Sequence, residues 1–140
     1  MTEAAAEPGG GTGPLVRVRL RVQWVDTDAG GRIHHTAAFR WAELAEHELL
    51  RAAGASVLTV FPRRHVEATF HRALAFDDEF VLEIEVARVG SSSIGYAWRA
   101  LRDDELCFEG TTAAVHVGAD GTPEPLPAEL RAALTAPRGQ

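Results

Sequence analysis

From Val16 to Trp24 the chain alternates without a break, with Val16, Val18, Leu20, Val22 and Trp24 at one parity and Arg17, Arg19, Arg21 and Gln23 at the other. A period of two sends successive side chains to opposite sides of an extended backbone, so the stretch predicts a strand with one buried face. The arginine row then meets solvent or a partner. The alternation stops at Asp26-Thr27-Asp28-Ala29-Gly30-Gly31, where paired glycines and short polar residues favour turning and let the backbone approach a ligand. From Ala37 to Ala53 the period becomes helical. Phe39, Ala42, Ala45/Glu46, Leu49 and Ala53 recur on one face among good helix formers, with Thr36 expected as N-cap and Gly54 as the C-terminal stop. Glu43, His47, Glu48 and Arg51 fall on the other face, with Glu43 and Glu46 near its boundary.

Gly54 to Pro62 is a loop with apolar content at Val57, Leu58, Val60 and Phe61, suited to walling a pocket or to packing at an edge. Four further strands follow, at His65–Arg72, Phe80–Ala87, Ile94–Ala100 and Leu106–Val117. Turn residues separate them at Phe76-Asp77-Asp78, Gly90 to Ser93 and Asp103-Asp104. Short connections between the last three predict an antiparallel meander. Pro127 to Leu134 reads as a short closing helix. The plan is α+β, one long helix on one antiparallel sheet. A lone helix covers only one face of a sheet, so self-association through the sheet is expected. Residues 1–14, rich in Gly, Ala and Thr, are expected to be a disordered lead, 15–136 a single domain and 137–140 a tail.

Composition narrows the function. A net charge of −6 without a basic run argues against nucleic acid. With no apolar run near 20 residues and no charged-then-apolar leader, the chain is expected to be cytoplasmic and to have no membrane partner. A single cysteine, Cys107, rules out an internal disulfide and a multi-cysteine metal site, and suits a small buried hydrophobe. The chain has no lysine and no asparagine, which excludes Schiff-base chemistry and an asparagine oxyanion donor.

The candidate chemistry therefore collects where the loop feeds the helix. A helix start offers unpaired N–H groups and partial positive charge, which suit a developing oxyanion, and an aspartate nearby supplies a base or nucleophile. Asp28 is the candidate, with Asp26 expected to cap the loop through backbone N–H groups. His34, His35 and His71 make a poor metal set, because adjacent histidines on a loop rarely converge on one ion. Ser91 to Ser93 lack the Gly-x-Ser-x-Gly spacing of a serine hydrolase. Arg63-Arg64 suits either the phosphates of a ligand or a solvated charge pair.

Asp26-Thr27-Asp28-Ala29-Gly30-Gly31, the following His35, and Trp41 to Glu43 resemble the signature of the hotdog-fold acyl-CoA thioesterases of the 4-hydroxybenzoyl-CoA thioesterase family, most closely its YbgC-like branch. Phe76-Asp77-Asp78-Glu79 and the strands after it match in order and spacing, so the likeness runs from Val16 to about Leu134. The resemblance implies a hotdog fold, one long central helix wrapped by a curved five-stranded antiparallel sheet. It implies an acyl-CoA substrate, no metal and no cofactor beyond the CoA of the substrate, a homodimer as minimal unit and a homotetramer above it, with the site at the dimer interface. Asp28 would attack the thioester or activate water, and the backbone N–H of His35 would polarise the carbonyl. Gly30, Gly31, His34, Thr36, Arg63 and Arg64 would line the substrate. Where many members carry Asn or Ser and then Tyr after the histidine, this chain has Ala37 and Ala38, and His34 stands where an aromatic residue is common. The rival readings are hydrolysis of an acyl group on a carrier protein, a hydratase, and an acyl-binding hotdog dimer without turnover.

Overall fold

The computed structural model describes residues 13–55 and 61–138. Strand β1 (Leu15–Arg21) leads through a 3-10 turn at Trp24–Asp26 into helix α1 (His35–Ala52). Strands β2 (Arg63–Phe70), β3 (Glu79–Val89), β4 (Ser93–Arg102) and β5 (Glu105–Val115) follow, and helix α2 (Ala128–Thr135) closes the fold. All five strands share one antiparallel sheet in the order β1-β3-β4-β5-β2. The meander β3-β4-β5 forms its centre as the short turns predicted. Asp103 and Asp104 turn β4 into β5 with φ of 53° and 66°, the left-handed pair that matches the twist of a tight hairpin. The strands on either side of α1 in sequence end on opposite sheet edges, with α1 between them in the chain.

The core lies between α1 and the sheet's inner face. Ala37, Ala38, Ala42 and Ala45 are all buried, and their small side chains let the helix lie close. Trp41 fills the space this leaves, its ring 4.8 Å from Phe80 and 6.1 Å from Phe108. It lies beside the expected apolar stripe, which is therefore wider than the periodicity suggested. Trp98 on β4 donates its indole N–H to Thr112 on β5 at 2.9 Å. Gly110 makes room for that ring: a Cβ there would run into Trp98 and into the carbonyl oxygen of Glu67.

Two expectations are corrected. Trp24 is 77% exposed, because β1 ends at Arg21 and the 3-10 turn swings the indole out of the strand's alternation to meet Phe76 edge-on at 5.9 Å. Glu83 and Glu85 occupy the outward parity of β3 yet are 5% and 2% exposed. Glu83 is held between Arg17 on β1 at 2.6 Å and Arg99 on β4 at 2.7 Å. Glu85 takes Arg138 at 2.7 Å, and Arg138 also bonds the Gly13 carbonyl, so the described chain ends meet over β3. Gly13 and Pro14 are part of this packing, Pro14 accepting the Val86 N–H at 3.0 Å. The rest of the expected lead, loop residues Val57, Leu58 and Val60, and the last two tail residues lie outside the described residues.

Candidate active site

The connection from β1 to α1 is built by its own aspartates. The Asp26 carboxylate, 2% exposed, accepts the Gln23 N–H at 2.8 Å and pairs with Arg40 of α1. Its backbone carbonyl accepts the His34 N–H at 2.8 Å. The loop is thereby tied to the helix start at two levels. Between these ties the chain makes a compact turn: Asp28 N–H donates to the Arg32 carbonyl at 2.7 Å, and Gly31 N–H to the Asp28 carbonyl at 3.0 Å. Gly31 has φ of 83°, which explains a glycine at that place. One oxygen of the Asp28 carboxylate accepts the Gly30 N–H at 2.8 Å, an Asx turn that fixes its direction. The residue is exposed, and its second carboxylate oxygen has no hydrogen-bond partner among the described residues.

Helix α1 begins at His35, earlier than expected, and its N-cap is His34 rather than Thr36. The ring Nδ1 of His34 accepts the Thr36 N–H at 3.2 Å and lies 2.7 Å from the Thr36 hydroxyl, so Thr36 steadies the cap from inside the helix. The His34 and His35 rings stack at 4.4 Å. Helix geometry leaves the His35 N–H without an intrahelical acceptor.

A cavity of about 520 Å³ opens along α1 between its inner side and strands β2, β3, β4 and β5. Thr36 and Phe39 line it near the helix start, and Glu46, Arg63 and Tyr96 line it further along. Thr36 and Glu46 are ten residues apart, about 15 Å along the helix axis. Of the expected site residues, Thr36 and Arg63 are in its walls. Asp28, Gly30, Gly31, His34 and His35 are exposed around the helix start, outside those walls, and Arg64 is exposed on β2. In the chain taken alone, the Asp28 carboxylate is therefore not part of the cavity's walls, and Thr36 is the wall residue nearest to it in sequence.

The far end of the cavity was not legible as a site. Glu46 is 3% exposed within the helix's apolar face, and Arg63 from β2 grips both of its oxygens. Burial alone would lower the Arg63 pKa, but the hydrogen bond and charge of Glu46 hold it raised. Tyr96, at the inward parity of β4, is 1% exposed, and its hydroxyl makes no hydrogen bond of good geometry to any described residue. Burial, and then the nearby Glu46 charge, push the Tyr96 phenol well above its usual range, so it remains a donor at neutral pH. The signals available in sequence were a carboxylate placed in an apolar stripe and the chain's one tyrosine. Cys107 is buried as expected, and burial pushes its thiol pKa up. Among the described residues, no group of three or more His, Cys, Asp and Glu side chains gathers to hold a metal ion. No helix among them is long and apolar enough to cross a membrane.

Comparison with known proteins follows this geometry. Residues 30–112 match the family model described as the thioesterase superfamily. The chain is 28% identical over 124 residues to the acyl-CoA thioesterase YbgC of Haemophilus influenzae, covering 82% of this chain and 90% of that protein. It is 26% identical over 114 residues to a 1,4-dihydroxy-2-naphthoyl-CoA hydrolase of Prochlorococcus marinus, covering 71% and 72%. Its fold is similar to that of the crystal structure of a 1,4-dihydroxy-2-naphthoyl-CoA thioesterase from Synechocystis, with a TM-score of 0.79 at 15% identity, over 85% of this chain and 94% of that one.

Proposed function

The chain belongs to the thioesterase superfamily and is a hotdog-fold thioesterase, and from that premise we propose that it hydrolyses an acyl-CoA to the free acid and CoA. The observation that carries the assignment of the carboxylate is the Asp28 Asx turn, with one oxygen held by the Gly30 N–H and the other open, in a loop bonded to the N-cap of α1. Asp28 takes a proton from water as the water oxygen adds to the thioester carbon. The carbonyl electrons move onto oxygen, which the His35 N–H and the positive end of α1 receive. Collapse breaks the C–S bond, and the departing thiolate takes the proton back from Asp28. Direct attack by Asp28 would instead expel the thiolate and form an anhydride; water adding to its aspartyl carbon would leave ¹⁸O from labelled water in the protein after a single turnover, an outcome the general-base route does not produce.

The second copy of the chain completes the site in this reading. Seven of the eight residues of β2 are exposed, and β5 is its partner on one side only. An open edge of this length is a template for another strand, so we assign β2 as the seam of a homodimer. Arg63 and Val66 line the cavity from that same strand, which supports a cavity beside the seam. Arg63 is engaged by Glu46, leaving Arg64 as the side chain placed to meet the CoA phosphates.

The experiment is a hydrolysis panel of short, long and aromatic acyl-CoAs followed by thiol release, run on wild type and Asp28→Asn. The expected loss in the variant is about 10²- to 10⁴-fold in kcat. Equal rates overturn the role of Asp28. Turnover of acyl groups on a phosphopantetheine carrier but of none as CoA esters moves the substrate to the carrier protein.

A further inference from the structure

The cavity along α1 ends on polar groups that hydrolysis does not use. An empty hydrocarbon chamber would be walled by apolar side chains, and a buried hydroxyl without a partner costs free energy unless something bonds to it. Here Glu46 and Arg63 hold one another through two hydrogen bonds, and although the Glu46 carboxylate lies close enough to act on the phenol, the Tyr96 hydroxyl makes no hydrogen bond of good geometry to any described residue. Phe39, Val66 and Ile84 supply apolar wall to the same cavity. The volume, about 520 Å³, is within the usual span for a small-ligand site.

We propose that Tyr96 is a specificity-determining residue, selecting an acyl group that carries a hydrogen-bonding oxygen at the end remote from the thioester over plain hydrocarbon of matched length. This rests on the acyl-CoA reading above. With the carbonyl at the start of α1, the acyl group runs along the helix between Phe39 and the strands, and its distal hydroxyl or carbonyl accepts the proton of the Tyr96 hydroxyl. The Glu46–Arg63 pair is the positioning element. Its charges are closed on each other, so what the cavity meets beside Tyr96 is a paired guanidinium and carboxylate rather than an unpaired charge.

Two substrate pairs long enough to span the distance from the helix start test this: decanoyl-CoA hydroxylated on its terminal carbon against undecanoyl-CoA, and dodecanoyl-CoA hydroxylated on its terminal carbon against tridecanoyl-CoA. Wild type is expected to favour the hydroxylated member of at least one pair by about tenfold or more in kcat/KM, and Tyr96→Phe to bring that ratio close to one. A ratio near one in wild type, or a preference that survives Tyr96→Phe, overturns the inference while hydrolysis itself stands. Failure to hydrolyse any acyl-CoA would instead remove the reading beneath it. A second measurement reads the vacancy directly. Because the hydroxyl has no well-aligned partner among the described residues, Tyr96→Phe should unfold at the same temperature as wild type or higher. A lower midpoint would mean that the hydroxyl has a structural partner, and would equally overturn the proposal.

Discussion

The carbonyl of Asp26 takes the backbone N–H of His34 at 2.8 Å, so the connection carrying Asp28 is closed on the cap of the helix it feeds. The same residue's carboxylate is buried and paired with Arg40, which is half exposed. Removing a buried partner leaves desolvated groups behind, moderated here by the solvent around the guanidinium. Asp26→Ala is expected to lower unfolding free energy by about 2 kcal/mol in urea titration. A double-mutant cycle with Arg40→Ala should recover part of that loss.

His34 caps α1 through its ring nitrogen, an unusual choice for a position where Ser, Thr, Asp and Asn prevail. His34→Ala should cost about 1 kcal/mol of stability, and His34→Ser should restore most of it. Thr36→Val removes the hydroxyl that steadies the ring and is expected to cost less than His34→Ala. Thermal unfolding of the three variants ranks them.

Acid should loosen the outer face of the sheet through Glu83. Burial would raise this carboxyl's pKa, but hydrogen bonds and charges from Arg99 and Arg17 outweigh it and hold the group below the ordinary carboxylate range. The folded state therefore favours the ionised form, and the stabilisation is complete above the unfolded value of about 4.3. It is lost as pH falls from there through the depressed folded value. Glu83→Gln should be less stable than wild type at neutral pH, with the gap closing below about pH 4. Denaturant midpoints measured down the pH scale would show the two curves converging.

Gly110→Ala should be among the costlier single-methyl changes in the chain. The added Cβ meets the Trp98 ring and the Glu67 carbonyl, so either the indole leaves its hydrogen bond to Thr112 or β2 shifts from β5. The expected loss is about 3 kcal/mol, with a change in tryptophan fluorescence.

Much of this molecule could be read from local pattern because its strands are consecutive and their turns are chemically marked. Asp103-Asp104 and Gly90 to Ser93 end strands where their residues predict. What escaped the sequence was set by neighbours distant in the chain. Trp24 kept the strand's alternation in sequence but not in space, because the Asp26 carboxylate bends the backbone into a 3-10 turn by accepting the Gln23 N–H. Glu83 and Glu85 alternate as solvent-facing residues should, yet arginines from β1, β4 and the C-terminal segment cover them. The loop of Asp28, Gly30 and Gly31 was legible as a turn before a helix. The cavity was not, since Thr36, Arg63, Tyr96 and Thr112 come together only when β2 and β4 take their places in the sheet.

The Asp28 turn closes on backbone groups of its own five residues, while the cavity walls come from α1 and four strands. For protein engineering this is a division of labour along the gene. A library randomised at Val66, Tyr96 and Thr112 would reshape what the chamber accepts and leave every hydrogen bond within the Asp28 turn in place.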